Sequence, residues 1–253
     1  MAGFSAPSSR VASMPEPSGR QYATLLEDLL SAHVHPHDES VVSILGHIAN
    51  HHGPQRQGGS TRGMLTRTQV QQARERAQAT LEAAGLRLTS EEKESIEVVD
   101  FGLNILEEVG AQIVVYVNTG RVCAKEIVLF PNQTCAEHRH PPFDGTPGKE
   151  ETFRVRTGVV FLHVEGDPTP DPKARPARGD RAVYTAAREI VLNPGEQFTV
   201  PPDTLHWFQA GPEGAIVSEF STQSRDDLDV FTDPEIARAT LVAPEPPQSN
   251  GAP

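Results

Sequence analysis

Between residues 111 and 221 the hydrophobic pattern repeats every two residues, the period of a β-strand with one buried face. Turn residues interrupt the pattern at short intervals, as at Asn118-Thr119-Gly120 and Pro131-Asn132. About eight short strands separated by turns favour a mainly β fold, a closed double sheet of the jelly-roll type. The clearest strand segments are 113–117, 121–130, 158–164, 189–192, 197–200, 206–209 and 215–221.

An α-helical segment precedes these strands. Helical spacing predicts a helix over 68–84 with Thr68 as its N-cap, and a shorter helix that opens at Ser90. Leucines and valines at the same spacing predict one or two helices between 20 and 50, followed by a Gly-rich linker. The chain therefore divides into a disordered N-terminal tail, a helical extension with its linker, a β-rich domain with its own N-terminal helices, and a disordered C-terminal tail. Their predicted bounds are 1–19, 20–62, 63–240 and 241–253.

The charge and the cysteines limit the partners and the compartment. A net charge of -12 disfavours nucleic acid and anionic membranes as partners, because most of the surface would repel phosphate. No apolar stretch is long enough to cross a bilayer, and the first residues lack the apolar core of a signal peptide. A chain of this size needs no disulfide, so we interpret Cys123 and Cys135 as free thiols. These features predict a cytoplasmic protein.

The residues best suited to chemistry surround the triplet His138-Arg139-His140. On a strand, residues i and i+2 point to the same face, so the two imidazoles project together. Glu151 and His206 supply a carboxylate and a third imidazole further along the chain. Three imidazoles and a carboxylate suit a divalent first-row metal, with manganese, iron, cobalt and nickel all acceptable. Histidines of the surface or the core are the alternative interpretation.

The spacing of these residues resembles the first motif of the cupin superfamily. Asn132 stands six residues before His138, where cupins have a glycine in a left-handed turn. Glu151 precedes Gly158 at the distance that the motif requires, whereas Glu150 does not. The segment between His140 and Glu151 has ten residues and is longer than in the motif, so we expect an inserted loop there.

The second cupin motif is matched by Gly195, Pro201 and His206, with Asp203 where the motif has its last glycine. The two motifs occur in the expected order. The resemblance therefore implies a cupin jelly-roll barrel behind the helical segment.

Three further segments, 123–129, 149–155 and 218–221, resemble the D-lyxose isomerase family, and the resemblance spans roughly residues 64 to 235. Members of that family interconvert D-lyxose with D-xylulose, and often D-mannose with D-fructose, using a divalent ion that is typically manganese. The resemblance implies free sugars as substrates and a homodimer as the assembly. It also implies a role for six residues: the metal ligands His138, His140, Glu151 and His206, and the sugar-contacting residues Lys125 and Glu219.

Lys125 and Glu219 have residue types that suit this chemistry. Isomerisation moves a proton between adjacent carbons, which a carboxylate such as Glu219 can transfer, while the Lys125 ammonium can stabilise enediolate charge. Lys125 shares its strand face with apolar residues and is costly there without a partner. For Glu219, the alternation does not decide which strand face is interior, so a solvent-facing carboxylate is the alternative.

Two other functions fit the same ligand set. An iron-dependent dioxygenase of the cupin superfamily would need no proton-transferring carboxylate, and a non-catalytic sugar-binding cupin would bind without turnover. Six N-terminal histidines also invite a metal interpretation, but exposed histidines on a polar helix rarely bind metal. We therefore predict no second metal site at His33, His35, His37, His47, His51 and His52.

Overall fold

The computed structural model describes residues 63–176 and 182–244. The predicted N-terminal tail, the helical extension with its histidines, and residues 245–253 of the predicted C-terminal tail lie outside the described residues. Among those described, no helix is both long and apolar enough to cross a membrane.

Two helices open the described part of the chain. Helix α1 (Arg67–Ala83) begins after Thr66, whose hydroxyl accepts a hydrogen bond from the Gln69 backbone while the Gln69 side chain accepts one from the Thr66 N–H. The prediction of Thr68 as the N-cap was wrong, because Thr68 lies inside the first turn of the helix. Leu65 is buried and hydrogen-bonded to residues 241 and 243, so the chain enters the helix directly after it. Helix α2 (Ser90–Glu94) follows the N-cap Thr89.

The described residues form nine strands: β1 (Glu97–Val99), β2 (Ala111–Asn118), β3 (Cys123–Leu129), β4 (Thr134–Arg139), β5 (Glu151–Val164), β6 (Arg188–Leu192), β7 (Gln197–Val200), β8 (His206–Ser221) and β9 (Val230–Phe231). They form one antiparallel sheet in which β1, β2, β3, β8, β4 and β9 are successive neighbours, and β5 joins β8 to β6 and β7. The sheet curls into a half-barrel of the cupin type, so the predicted fold class is confirmed.

Both faces of the sheet are buried where the helices cover it. Val98, Val114 and Val128 face outward and pack with Ala77 and Leu81 of α1. Their strand neighbours, including Val99, Ile113, Ile127 and Val217, face inward and form the core of the barrel. This alternation explains why a helical segment precedes the barrel: without it, an apolar outer face would meet water.

The two longest strands were predicted as shorter pieces. Segments 206–209 and 215–221 belong to one 16-residue strand, β8, and segment 158–164 is the second half of the 14-residue β5. The register between β5 and β8 shifts near Gly158, because Gly158 pairs with Ala215 and Val160 pairs with Ala210. Turn residues in this region thus shift the pairing without ending the strands.

The β5–β8 pair folds back on itself. A straight strand of this length would extend about 45 Å, and Glu151 pairs in register with Ser221 while His206 pairs with Val164. Nevertheless a Glu151 carboxylate oxygen lies 2.9 Å from Nε2 of His206. The curl of the barrel therefore brings opposite ends of the same strand pair into contact.

The C-terminal boundary also differs from the prediction. Residues 241 to 243 were assigned to a disordered tail, but the Leu65 N–H donates to the Leu241 carbonyl and the Ala243 N–H donates to the Leu65 carbonyl. The chain beyond 240 thus pairs with the residue before α1. The two ends of the described chain meet at Leu65.

Left-handed backbone occurs at the positions that the cupin spacing indicated. The φ angles are 60° at Asn132, 57° at Asp203 and 87° at Gly195, so two of these turns use a side chain that tolerates this region and the third uses glycine. Gly158 has φ 72°, and a Cβ there would overlap the backbone carbonyl oxygen of Gly214. Only glycine fits at the point where the β5–β8 register shifts.

We predict that G158A lowers the free energy of unfolding by about 3 kcal/mol, because it adds a steric clash with backbone to an unfavourable φ. The matched control is G195A, since Gly195 has a similar φ but nothing within 4 Å of an added Cβ. That control should lose only about 1 kcal/mol. Denaturant unfolding of both variants tests this, and equal losses would contradict the role assigned to Gly158.

Candidate active site

The structure brings the four predicted metal-binding side chains together. His138 belongs to β4, His140 follows its end, and Glu151 and His206 are the first residues of β5 and β8. All four are buried, and their ligand atoms lie within 4.8 Å of one another. The ten-residue segment after His140, which contains the inserted loop, does not disturb this convergence, because His140 Nε2 is still 3.0 Å from Glu151 Oε1.

Each imidazole is oriented by a hydrogen bond from its Nδ1 atom. His138 Nδ1 lies 2.8 Å from the Ala136 carbonyl oxygen and His206 Nδ1 lies 2.9 Å from that of Thr204. His140 Nδ1 instead lies 2.5 Å from the carboxylate of Asp229. Because an acceptor faces every Nδ1, the proton belongs on that atom and the Nε2 lone pairs point to the centre of the cluster.

The centre of the cluster has the donor set of a metal site. His206 Nε2 is buried and makes no hydrogen bond with any described residue, although Glu151 Oε1 is 2.9 Å away. Two acceptors that face each other at this distance repel unless a proton or a cation lies between them. Three imidazole nitrogens and a carboxylate oxygen therefore fit a divalent first-row ion.

The pKa shifts show that the centre of the cluster favours positive charge, which a proton on His140 or a bound cation supplies. Burial, together with the neighbouring imidazoles, holds the pKa of His138 well below its usual range, so this residue is neutral. Burial also opposes protonation of His140, but Glu151 and Asp229 outweigh it and raise the pKa of this imidazole to about 9. Burial would raise the pKa of Glu151, but Lys149 and the imidazoles lower it well below the ordinary value. The cluster thus attracts positive charge.

Glu219 faces the interior of the barrel beside this cluster. The residue is buried, and its carboxylate accepts hydrogen bonds from Lys149 Nζ at 3.0 Å and from the Ser221 hydroxyl at 3.0 Å. The alternative of a solvent-facing carboxylate is therefore wrong. Its neighbour on β8, Phe220, is the side chain that points outward.

Lys125 lies directly across from Glu219 in the β3–β8 register, and the closest approach of their charged atoms is 3.9 Å. The partner that a buried lysine requires is mainly Asp226, whose carboxylate oxygens lie 2.9 and 3.1 Å from Nζ, with the Ser224 hydroxyl at 2.8 Å. Burial would lower the pKa of Lys125, but Glu219 and Asp226 raise it above the ordinary value. Lys125 is an ammonium at the cavity wall.

Lys149 is a site residue that the sequence analysis missed. Its Nζ atom lies 2.6 Å from Glu151 and 3.0 Å from Glu219, so one buried ammonium joins the metal cluster to the second carboxylate. Burial disfavours this charge, yet Glu151 and Glu219 raise the pKa of Lys149 well above its ordinary value. The alternation of a strand could not indicate it, because Lys149 lies in the loop before β5, which begins at Glu151.

Two acids after β8 were also missed. Asp226 opens a short 3₁₀ turn (Asp226–Leu228), and Asp229 follows that turn and meets His140. The acidic run Asp226-Asp227-Leu228-Asp229 has no spacing in common with the cupin motifs. The contact of Asp229 with His140 depends on how the turn packs against the barrel, which the sequence does not show.

Three residues of the cluster, His138, His140 and Glu151, line one cavity together with both lysines and Glu219. The apolar part of its wall comes from Val99, Phe101, Ala111, Ile113, Ile127, Phe153, Phe208 and Phe231. A wider groove of about 380 Å³ adjoins the cavity through His140, Lys149 and Asp229, and the inserted loop forms one of its sides. A small polar molecule with an apolar carbon face fits these surroundings.

Similar proteins were found by sequence and by structure, while no protein-family model matches the chain. A D-lyxose/D-mannose isomerase of Thermosediminibacter oceani is 59% identical over 175 residues, which cover 69% of this chain and 97% of the relative. A D-lyxose ketol-isomerase of a Thermofilum species is 58% identical over 175 residues, which cover 69% of this chain and 97% of the relative. A D-lyxose ketol-isomerase of Cohnella laeviribosi is 55% identical over 175 residues, which cover 69% of this chain and 96% of the relative.

Solved L-ribose isomerases share the fold. The enzyme of Acinetobacter sp. DL28 has a TM-score of 0.62 at 16% identity, with 73% of this chain and all of that chain covered. The enzyme of Cellulomonas parahominis has a TM-score of 0.61 at 18% identity, with 72% and 100% covered. The extent and the level of identity with the three curated relatives show that this chain belongs to the D-lyxose isomerase family.

Proposed function

We propose that this protein interconverts D-lyxose with D-xylulose, and D-mannose with D-fructose, as free sugars, with manganese as the divalent ion. The family membership supports the substrate class, because one relative is named for both D-lyxose and D-mannose. The observation that carries the proposal is the position of Glu219. This carboxylate lines the same cavity as His138, His140 and Glu151 of the metal cluster, and Lys149 joins it to Glu151.

His138, His140, Glu151 and His206 would hold the ion. Four protein ligands on a six-coordinate ion leave two positions, which suits the adjacent oxygens of an aldose or ketose. When bound, the ion acts as a Lewis acid that polarises the sugar carbonyl. The hydrogen bonds from the three Nδ1 atoms hold the imidazoles in place before the sugar arrives.

Glu219 would act as the base. In the direction from aldose to ketose it takes the proton from carbon two, and it then returns a proton to carbon one of the cis-enediol. The hydroxyl proton of the enediol moves from one oxygen to the other, so the sugar is rearranged without net oxidation. Ser221 and Lys149 fix the carboxylate in one orientation for both transfers.

The two lysines would stabilise the negative charge that develops on the sugar oxygens. Lys149 Nζ lies 2.6 Å from Glu151 and 3.0 Å from Glu219, whereas Lys125 Nζ lies 3.9 Å from Glu219. We therefore assign this role to Lys149 as well as to Lys125. Asp226 and Ser224 hold the Lys125 ammonium in the cavity wall. An ammonium anchored in this way can bind a sugar hydroxyl without leaving its position.

The other candidate functions predict different assay results. A dioxygenase would not require a proton-transferring carboxylate such as Glu219 between two ammonium groups, and a non-catalytic cupin would bind the sugar without forming a product. Incubation of the manganese-loaded protein with D-lyxose or D-mannose, followed by measurement of ketose, separates isomerisation from both.

The assembly and the compartment are part of the same proposal. A homodimer would cover exposed apolar side chains on the outer surface, such as Val117, Val122 and Phe220. A cytoplasmic location is supported by the buried thiols of Cys123 and Cys135, which are free.

For the base, we predict that E219Q lowers kcat by a factor of about 10² to 10⁴, because the amide cannot accept the proton. Metal content should remain one ion per chain. The measurement is steady-state kinetics with D-lyxose, together with elemental analysis of the same preparation.

The matched control for the base is E126Q. Glu126 is also buried and lies on the neighbouring strand β3, but its partners are Arg156 and Ser218 and it does not line the cavity. E126Q should keep kcat within about threefold of the wild type. An E219Q variant as active as E126Q would exclude Glu219 as the base.

For the metal, we predict that a chelator abolishes turnover and that Mn²⁺ restores it. The substitution H206N should weaken metal binding by at least about 100-fold. Loss of a residue that only supports a ligand lowers metal affinity by up to about 100-fold, and loss of the ligand itself should lower it at least as much. The matched control is H163N, because His163 is equally buried but pairs with Glu189 outside the cluster. Calorimetric titration with Mn²⁺ measures both, and equal affinities in the two variants would refute the assigned ligand set.

A further inference from the structure

Phe101 has an unusual backbone conformation. Six non-glycine residues in the described ranges have positive φ, and five of them are Asn or Asp, which tolerate the left-handed region. Phe101, with φ 55°, is the sixth. A bulky side chain in this region is strained, and such strain persists only where the surroundings enforce it.

The surroundings of Phe101 hold the strained turn firmly. The buried Asp100 carboxylate accepts hydrogen bonds from the N–H groups of Gly102 and Asn104, at 3.0 and 3.2 Å. The Ala237 N–H donates to the Phe101 carbonyl oxygen at 2.9 Å. The turn is therefore fixed from two sides, and the Phe101 ring has one defined position.

That position is at the apolar end of the cavity. The Phe101 ring meets Phe231 edge to face, with centroids 5.5 Å apart, and Phe231 lies 5.6 Å from the ring of His138. Phe101 is thus one ring further from the metal cluster than Phe231. Carbons one and two of the sugar would react at the cluster beside Glu219, so Phe101 lies on the side towards which the distal carbons would extend.

We propose that Phe101 sets the preference of the cavity for sugar length, by narrowing the space beyond carbon five. This inference rests on the proposed isomerase function. The free volume of the cavity is about 50 Å³, so its walls contact a bound sugar closely. D-lyxose and D-mannose share the configuration of the reacting region, and D-mannose has one additional hydroxymethyl group that must find room at this wall.

The test compares kcat/KM for D-mannose with kcat/KM for D-lyxose in manganese-loaded variants. F101G removes the ring and also relieves the positive φ, so the turn is expected to fold. The ratio of D-mannose to D-lyxose should rise about tenfold, the effect of one added carbon at an apolar wall. F101L, which keeps part of the apolar bulk, should give a smaller rise and replaces F101G if that variant does not fold.

The matched control is F130A. Phe130 is as buried as Phe101 but packs beneath α1 with Arg76 over its ring, outside the cavity, so its loss should leave the ratio unchanged. A ratio in F101G and F101L that stays within twofold of the wild type, or that matches a change in F130A, overturns the inference and leaves the isomerase function intact. A wild-type protein that forms ketose from neither sugar overturns both.

Discussion

The active site depends on the way in which the β5–β8 strand pair folds back on itself. Glu151 and His206 stand at opposite ends of this pair, yet their side chains meet because the sheet curls at the register shift near Gly158 and Ala215. The same curl places Glu219, near the end of β8, in the cavity that Glu151 lines, and His206 at the beginning of β8 lies 2.9 Å from the Glu151 carboxylate. A single strand therefore supplies both a metal ligand and the proposed base. The barrel is rigid where these residues originate, so their spacing is set before any ligand binds.

Burying this many charges is costly unless they balance. The cavity contains four carboxylates, those of Glu151, Glu219, Asp226 and Asp229, and two ammonium groups, those of Lys125 and Lys149. Arg238 also lines it and pairs with both Asp226 and Glu97. With Glu97 included, five carboxylates face three cationic side chains, so two negative charges remain when the imidazoles are neutral, and a divalent cation would balance them. An arrangement of this kind serves catalysis better than stability, because apolar residues of similar volume would fill the same space at lower cost.

The sequence predicted those parts of the site that depend on local spacing. The alternation of His138 and His140, the distance from Glu151 to Gly158, and the left-handed turn at Asn132 are properties of short segments, and the structure has all of them. Lys149 and Asp229 could not be placed in the same way. Lys149 lies at the end of an inserted loop, and Asp229 follows a short turn whose position depends on tertiary packing.

The sequence analysis predicted β5 and β8 as shorter strands, because glycine usually ends a strand. In this sheet the glycines shift the register of the β5–β8 pair, and both strands continue past them.

The most direct test of the central claim is a measurement of solvent deuterium in the product. D-lyxose is converted in D₂O by the manganese-loaded protein, and the D-xylulose is analysed by mass spectrometry and NMR. Proton transfer through the Glu219 carboxylate, in a cavity that adjoins an open groove, predicts deuterium at carbon one of the ketose. D-xylulose that forms without any deuterium would contradict the account, because a carboxyl group that exchanges its proton with the solvent of the adjoining groove leaves deuterium in the product.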